Sequence, residues 1–90
     1  MEFEWDSGKR KSNLTKQAVF FEEAKTVFGD PFYIDFFDPD HSADEQRYII
    51  FGMSEQGRLL VVSYTERNGK VRIISARKAT RSERGSYEER

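Results

Sequence analysis

The chain contains no cysteine, two prolines, one tryptophan and a single histidine. Without thiols, neither a disulfide framework nor a thiolate zinc site can form, which fits a reducing cytoplasm. Long apolar runs are also missing. No segment approaches the roughly 20 residues that span a bilayer, and the start, Met1-Glu2-Phe3-Glu4-Trp5-Asp6, has neither the basic nor the apolar region of an export signal. There is no Gly-rich phosphate loop ahead of a helix, no nucleophile elbow and no Cys-His pair. One histidine flanked by carboxylates could touch a metal, but no second imidazole or fixed ligand spacing supports a site, so neither metal nor cofactor is expected.

Charge and aromatic surface dominate what remains. Eight Phe, four Tyr and one Trp supply enough apolar area for one modest core, so residues 1–90 are expected to form a single domain. Net charge is −1, but residues 1–57 carry 6 basic and 12 acidic side chains and residues 58–90 carry 9 and 4. The two parts are therefore about −6 and +5. A basic C-terminal part can concentrate a polyanion or an acidic partner; the competing reading is a solvated sheet edge and surface helix.

Periodicity gives the order β-α-α-β-β-β-β-α. Phe3 and Trp5 alternate with acids as a short strand. Asp6 is a plausible N-cap for a polar helix over 7–17, with Leu14 its main apolar anchor. Phe20, Phe21, Ala24, Val27 and Phe28 are spaced as an amphipathic helix, which Gly29-Asp30-Pro31 ends. Strands follow at 32–37, 46–54, 58–66 and 70–77. Asn68-Gly69 between the last two signals a hairpin with a type I′ turn, and Thr80-Arg81-Ser82-Glu83 has the form of a capping box opening a short helix, with Tyr87 folding back on the sheet. Simple alternation in the last strand sets Arg72, Ile74 and Ala76 on one face and Val71, Ile73, Ser75 and Arg77 on the other.

Tyr64, Arg67 and Arg77 at the strand ends could face solvent, where an arginine fork can hold two phosphate oxygens. Ordinary ion pairing with Glu45, Glu66 or Glu83 is the alternative for each arginine. His41, the only side chain whose ordinary pKa lies near neutrality, is the default candidate for general acid or base work; otherwise it is a solvated residue among Asp38, Asp40 and Asp44.

Several segments together resemble the BrnT family of type II toxins: Phe3-Glu4-Trp5-Asp6 with Lys9, Asn13 and Lys16, then Phe21-Glu22-Glu23-Ala24, Val27-Phe28 and Asp30-Pro31. The likeness continues through His41-Ser42, Glu45, Arg47, Gly57-Arg58, Tyr64-Thr65, Arg67, the run Arg72-Ile73-Ile74-Ser75-Ala76-Arg77, and Ala79, Glu83-Arg84 and Tyr87-Glu88. The resemblance implies an α+β, RelE-like fold, with two N-terminal helices packed on a mainly antiparallel four- to five-stranded sheet and a short C-terminal helix. It further implies a cytoplasmic ribonuclease that inhibits translation, cutting RNA, free or on the ribosome, and neutralised by a BrnA-like ribbon-helix-helix antitoxin. Under that reading Arg67 and Arg77 stabilise the phosphoryl charge and Glu66 or His41 takes the proton. Lys16, Tyr64, Arg72, Lys78 and Arg47 hold RNA, and Phe36, Phe37 and Tyr64 are apolar anchors for the antitoxin. The chain departs from the family's Lys-His-Gly at Lys16-Gln17-Ala18, and Phe20 stands where a capping Ser is common. If that histidine is catalytic in relatives, the chain is a weakened homologue serving as an interaction module or corepressor, or it relies on His41, Glu66 or Lys16. If the histidine is structural, glutamine can keep its hydrogen bond.

Overall fold

A computed structural model describes residues 1–89. It begins with β1 (Phe3–Glu4), α1 (Ser7–Gln17) and α2 (Phe21–Thr26), the last continued by a 3-10 turn at Val27–Gly29. There follow β2 (Ile34–Phe37), a 3-10 turn at Pro39–His41, β3 (Arg47–Met53), β4 (Leu59–Arg67), β5 (Lys70–Lys78) and α3 (Arg81–Glu88). The strands form one sheet in the order β1-β5-β4-β3-β2, with β1 parallel to β5 and the other neighbours antiparallel. This is the α+β architecture expected.

Local chemistry accounts for the element ends. The Asp6 carboxylate accepts from the Lys9 N–H at 2.9 Å and caps α1. Asn68 and Gly69 adopt φ of 54° and 76°, the left-handed pair a type I′ turn requires. Thr80 and Glu83 form the reciprocal capping box of α3. Strand β2 starts two residues later than its alternation predicts. Asp30 accepts from the Phe32 N–H at 2.9 Å and draws the chain after Pro31 into a turn.

The core lies between one face of the sheet and α2 with its 3-10 extension. Val19, Phe21, Ala24 and Val27 pack against Ile50, Leu60, Val62, Tyr64, Val71, Ile73 and Ala76. Helix α1 is anchored differently from the prediction: Leu14 is only half-buried, and the buried residue is Asn13. Its Nδ2 donates to the carbonyls of Val19 and Ala76 at 2.9 Å each, and its Oδ1 accepts from the Ala76 N–H at 3.0 Å. β1 pairs with β5 only at Val71 and Arg72. Asn13 thus satisfies the β5 edge beyond the reach of β1, where unpaired backbone groups would otherwise be buried.

Candidate active site

The site is made by an irregularity in β5. Ser63 pairs with Ser75, but the next β4 residue, Tyr64, pairs with Ile73, leaving Ile74 as a bulge. Strict alternation therefore fails in mid-strand. Ala76 joins Val71 and Ile73 in the core, while Ser75 and Arg77 share the opposite, open face with Arg72. Re-aiming side chains is what bulges do beside functional sites.

Two further segments wall this face. Asn13 and Gln17 of α1 stand on one side, and on the other the segment 38–46 folds across the β3–β4 end, where Thr65 Oγ1 donates to the Gln46 carbonyl at 2.6 Å. Between them lies a hollow of about 320 Å³ lined by Asn13, Gln17, Asp38, His41, Arg47, Ser63, Ser75 and Arg77 together with Ile49, Val61, Ile74 and Ala76. An outer hollow of about 430 Å³ shares His41 and Arg47 with it and adds Ala43, Asp44, Glu45 and Arg67. A third, of about 290 Å³, continues past Gln17 and Ser75 to Lys9, Ser12 and Lys16. The three form one track across the open face.

His41 is held rather than loose. Its Nδ1 lies 2.8 Å from Oδ2 of Asp38, a largely buried carboxylate. An acceptor at Nδ1 places the ring proton there and leaves Nε2 as the nitrogen that can take another. Asp38 is itself fixed, its N–H donating to the Arg47 carbonyl at 2.9 Å, while Ser42 Oγ donates to the Asp38 carbonyl and accepts from the Arg47 N–H. Arg47 Nε is buried without a hydrogen-bond partner among the described residues, 3.7 Å from Glu45 Oε1. The Arg47 side chain lines both hollows, so its positive charge is available there to an anion. Arg77 forms a two-pronged pair with Glu83 at 2.7 and 2.8 Å, which lowers the Glu83 pKa to about 2.

The expected residues divide by face. His41, Arg47 and Arg77 meet at the inner hollow, Arg67 lies in the outer one bonded to Glu45 at 3.0 Å, and Lys16 lines the third. Arg72 is at the β1 edge, bonded to Glu4 at 2.7 Å. Glu66 pairs across from Val71 and Lys78 from Leu60, which sets both on the core side of the sheet and away from the track. Tyr64 is a core residue, 5 % exposed, stacked on Tyr48 and donating to Asp35 at 2.8 Å; burial, more than that bond, pushes its phenol pKa upward. It is closed to RNA and to a partner. Asp38 and the bulge were missed, the first because it reads as one acid among several in a loop, the second because Ile-Ile-Ser carries no bulge signal.

Comparison with known proteins bears on this arrangement. The family model described as "Ribonuclease toxin, BrnT, of type II toxin-antitoxin system" matches residues 5–83. Among solved structures, the 1.1 Å crystal structure of the Brucella abortus ribonuclease toxin BrnT is similar, with a TM-score of 0.66 and 21 % identity over 90 % of this chain and 99 % of that one. At that identity the likeness is one of fold. A search of curated proteins finds no match.

Proposed function

The chain belongs to the BrnT family of type II ribonuclease toxins, and from that premise we propose that it cleaves RNA at the inner hollow by metal-independent transphosphorylation. The supporting observation is an imidazole held by Asp38 facing a hollow that Arg47 and Arg77 also line. His41 Nε2 takes the proton of a ribose 2′-hydroxyl, whose oxygen attacks the adjacent phosphorus. The bond from phosphorus to the 5′-oxygen breaks, that oxygen takes a proton from water or from the imidazolium just formed, and the products are a 2′,3′-cyclic phosphate and a 5′-hydroxyl. Arg47, with its Nε unbonded, and Arg77 balance the charge that builds on the phosphoryl oxygens, the kind of fixed electrostatics that commonly contributes most in such sites. Lys16, with Lys9, holds the flanking backbone. Family membership supports a ribonuclease toxin with an antitoxin partner; on this reading the toxin works in the cytoplasm, its RNA cleavage stops translation, and a BrnA-like antitoxin neutralises it.

The test is cleavage of a short RNA by purified protein, scored for the cyclic phosphate. His41→Ala should lower the rate about 10²–10⁴-fold, and Arg47→Ala about 10²–10³-fold. A folded His41→Ala variant that cuts at the wild-type rate would remove the imidazole from the mechanism.

One observation favours a second reading, a weakened homologue kept as an interaction module or corepressor. Gln17 lines the inner hollow where the resembled pattern has histidine, and a glutamine amide neither takes up nor gives up a proton near neutral pH. Gln17→His in an Ala18→Gly background should then raise cleavage at least roughly tenfold, the lower range of acid–base effects. Under the first reading the rate stays as it was.

A further inference from the structure

The outer hollow has no part in the proposed phosphoryl chemistry, yet it adjoins the proposed base. His41 and Arg47 line both hollows. The 2′-hydroxyl that His41 would deprotonate belongs to a ribose whose nucleobase is attached one carbon away. With the reacting phosphate in the inner hollow and its 2′-hydroxyl against His41, that base can extend past His41 into the outer hollow, which shares this residue. At about 430 Å³ the outer hollow has room for a purine.

Its polar lining narrows the choice. Glu45 and Arg67 stand side by side, with Arg67 Nη2 3.0 Å from Glu45 Oε2 and the carboxylate about one-third exposed. The Arg67 guanidinium holds the Glu45 pKa below its ordinary value, so the carboxylate accepts and does not donate. Two carboxylate oxygens retain free lone pairs after the one bond from Arg67, and the guanidinium keeps free N–H groups. A carboxylate beside a guanidinium matches an edge with two adjacent donors followed by an acceptor. Guanine has that edge in N1–H, N2–H and O6. Uracil offers one N–H between two carbonyls and would set an oxygen against the carboxylate.

Resting on the proposed cleavage reaction, the geometry points to the Glu45–Arg67 hollow as a nucleobase subsite that selects guanine 5′ of the scissile phosphate. Arg67 thereby acts in recognition rather than in balancing phosphoryl charge.

Binding and cleavage test this separately. The full chain should bind 3′-GMP roughly 10- to 100-fold more tightly than 3′-UMP by calorimetry, the range for one two-pronged base contact. It should also cut GpA faster than UpA by a similar factor. Glu45→Gln should bring the two nucleotides to parity, and Arg67→Ala, which removes the O6 donor, should shrink the preference. Cleavage without a preference for guanosine, or with one that follows the base 3′ of the cut, overturns the subsite and leaves the nuclease reading standing. Preferential binding of 3′-GMP without any cleavage supports the subsite and sinks the nuclease reading instead. Equal binding of the two mononucleotides overturns the subsite.

Discussion

Glu83 links the proposed site to the stability of the fold through one carboxylate. It accepts both prongs of Arg77, and its Oε1 also accepts from the Thr80 N–H at 2.8 Å, so the same group orients a candidate catalytic arginine and caps α3. The Arg77 hydrogen bond is the largest cause of its lowered pKa, about 2 against an ordinary 4.5. The folded protein thus binds this proton less readily than the unfolded chain. The resulting stability is complete above about 4.5 and lost as the pH falls toward 2. Glu22, Glu23 and Glu45 are lowered by arginine partners in the same sense. Melting temperature followed through this window should fall less steeply in Glu83→Gln than in the wild type, and parallel curves would show that the pair contributes nothing. The sequence offered Glu83 as a possible partner of Arg77 but could not choose among three glutamates, because the choice depends on where α3 turns back. Its departures at 17–20 are visible in local geometry: Ala18 sits at φ 57° where glycine would be unstrained, and Phe20 caps α2 without a side-chain bond.

At the level of elements, hairpins and caps were legible because turn chemistry is local. Asn68-Gly69 and Thr80/Glu83 need only their own neighbours to be read. What was illegible depended on contacts distant in sequence: the bulge that carries Arg77 to the open face, the burial of Asn13 against β5, and the turn of segment 38–46 that sets His41 across the hollow from α1. A close approach of the same kind occurs at Gly52 on β3, where an added Cβ would lie 2.7 Å from Val27 Cγ1 and 3.2 Å from the Val27 carbonyl oxygen. The 3-10 turn after α2 is seated directly on that strand, and Asp30, just after the turn, accepts from the Met53 N–H at 2.8 Å. Relief of the overlap requires moving backbone as well as a side chain. Gly52→Ala should accordingly destabilise the fold by about 1–3 kcal/mol. Urea unfolding would check this, and a midpoint equal to the wild type would mean that the turn is free to lift.

For the molecule as a whole, the charge segregation of the sequence is largely consumed by folding. Glu2 pairs with Lys70, Glu4 with Arg72, Glu23 with Arg58 and Glu45 with Arg67, each joining an acid of the first part to a base of the second. Glu23–Arg58 is the most enclosed of these, with Ser54 Oγ donating to the same carboxylate at 2.7 Å. Arg77 is likewise occupied by Glu83. The −6/+5 contrast therefore overstates the field that an approaching polyanion meets, and long-range steering should be weak. Among the described residues lining the track, Lys9 and Lys16 form no ion pair, and Arg47 keeps an unbonded Nε. Two or three cations of this kind neutralise two or three phosphates. For a single strand, the logarithm of the binding constant should then fall with the logarithm of salt at a slope of about −1.5 to −2. Fluorescence anisotropy of a labelled, uncleavable 2′-deoxy oligonucleotide measured from low to moderate salt gives that slope directly. A value steeper than about −4 would require Arg67, Arg72 and Arg77 to leave their glutamates and join the phosphates, making the arginine pairs latches that RNA opens. A shallow slope keeps Arg67 and Arg72 as fixed parts of the scaffold, leaves Arg77 to act on the reacting phosphate from within its pair with Glu83, and assigns the rest of the electrostatic grip to α1 and Arg47.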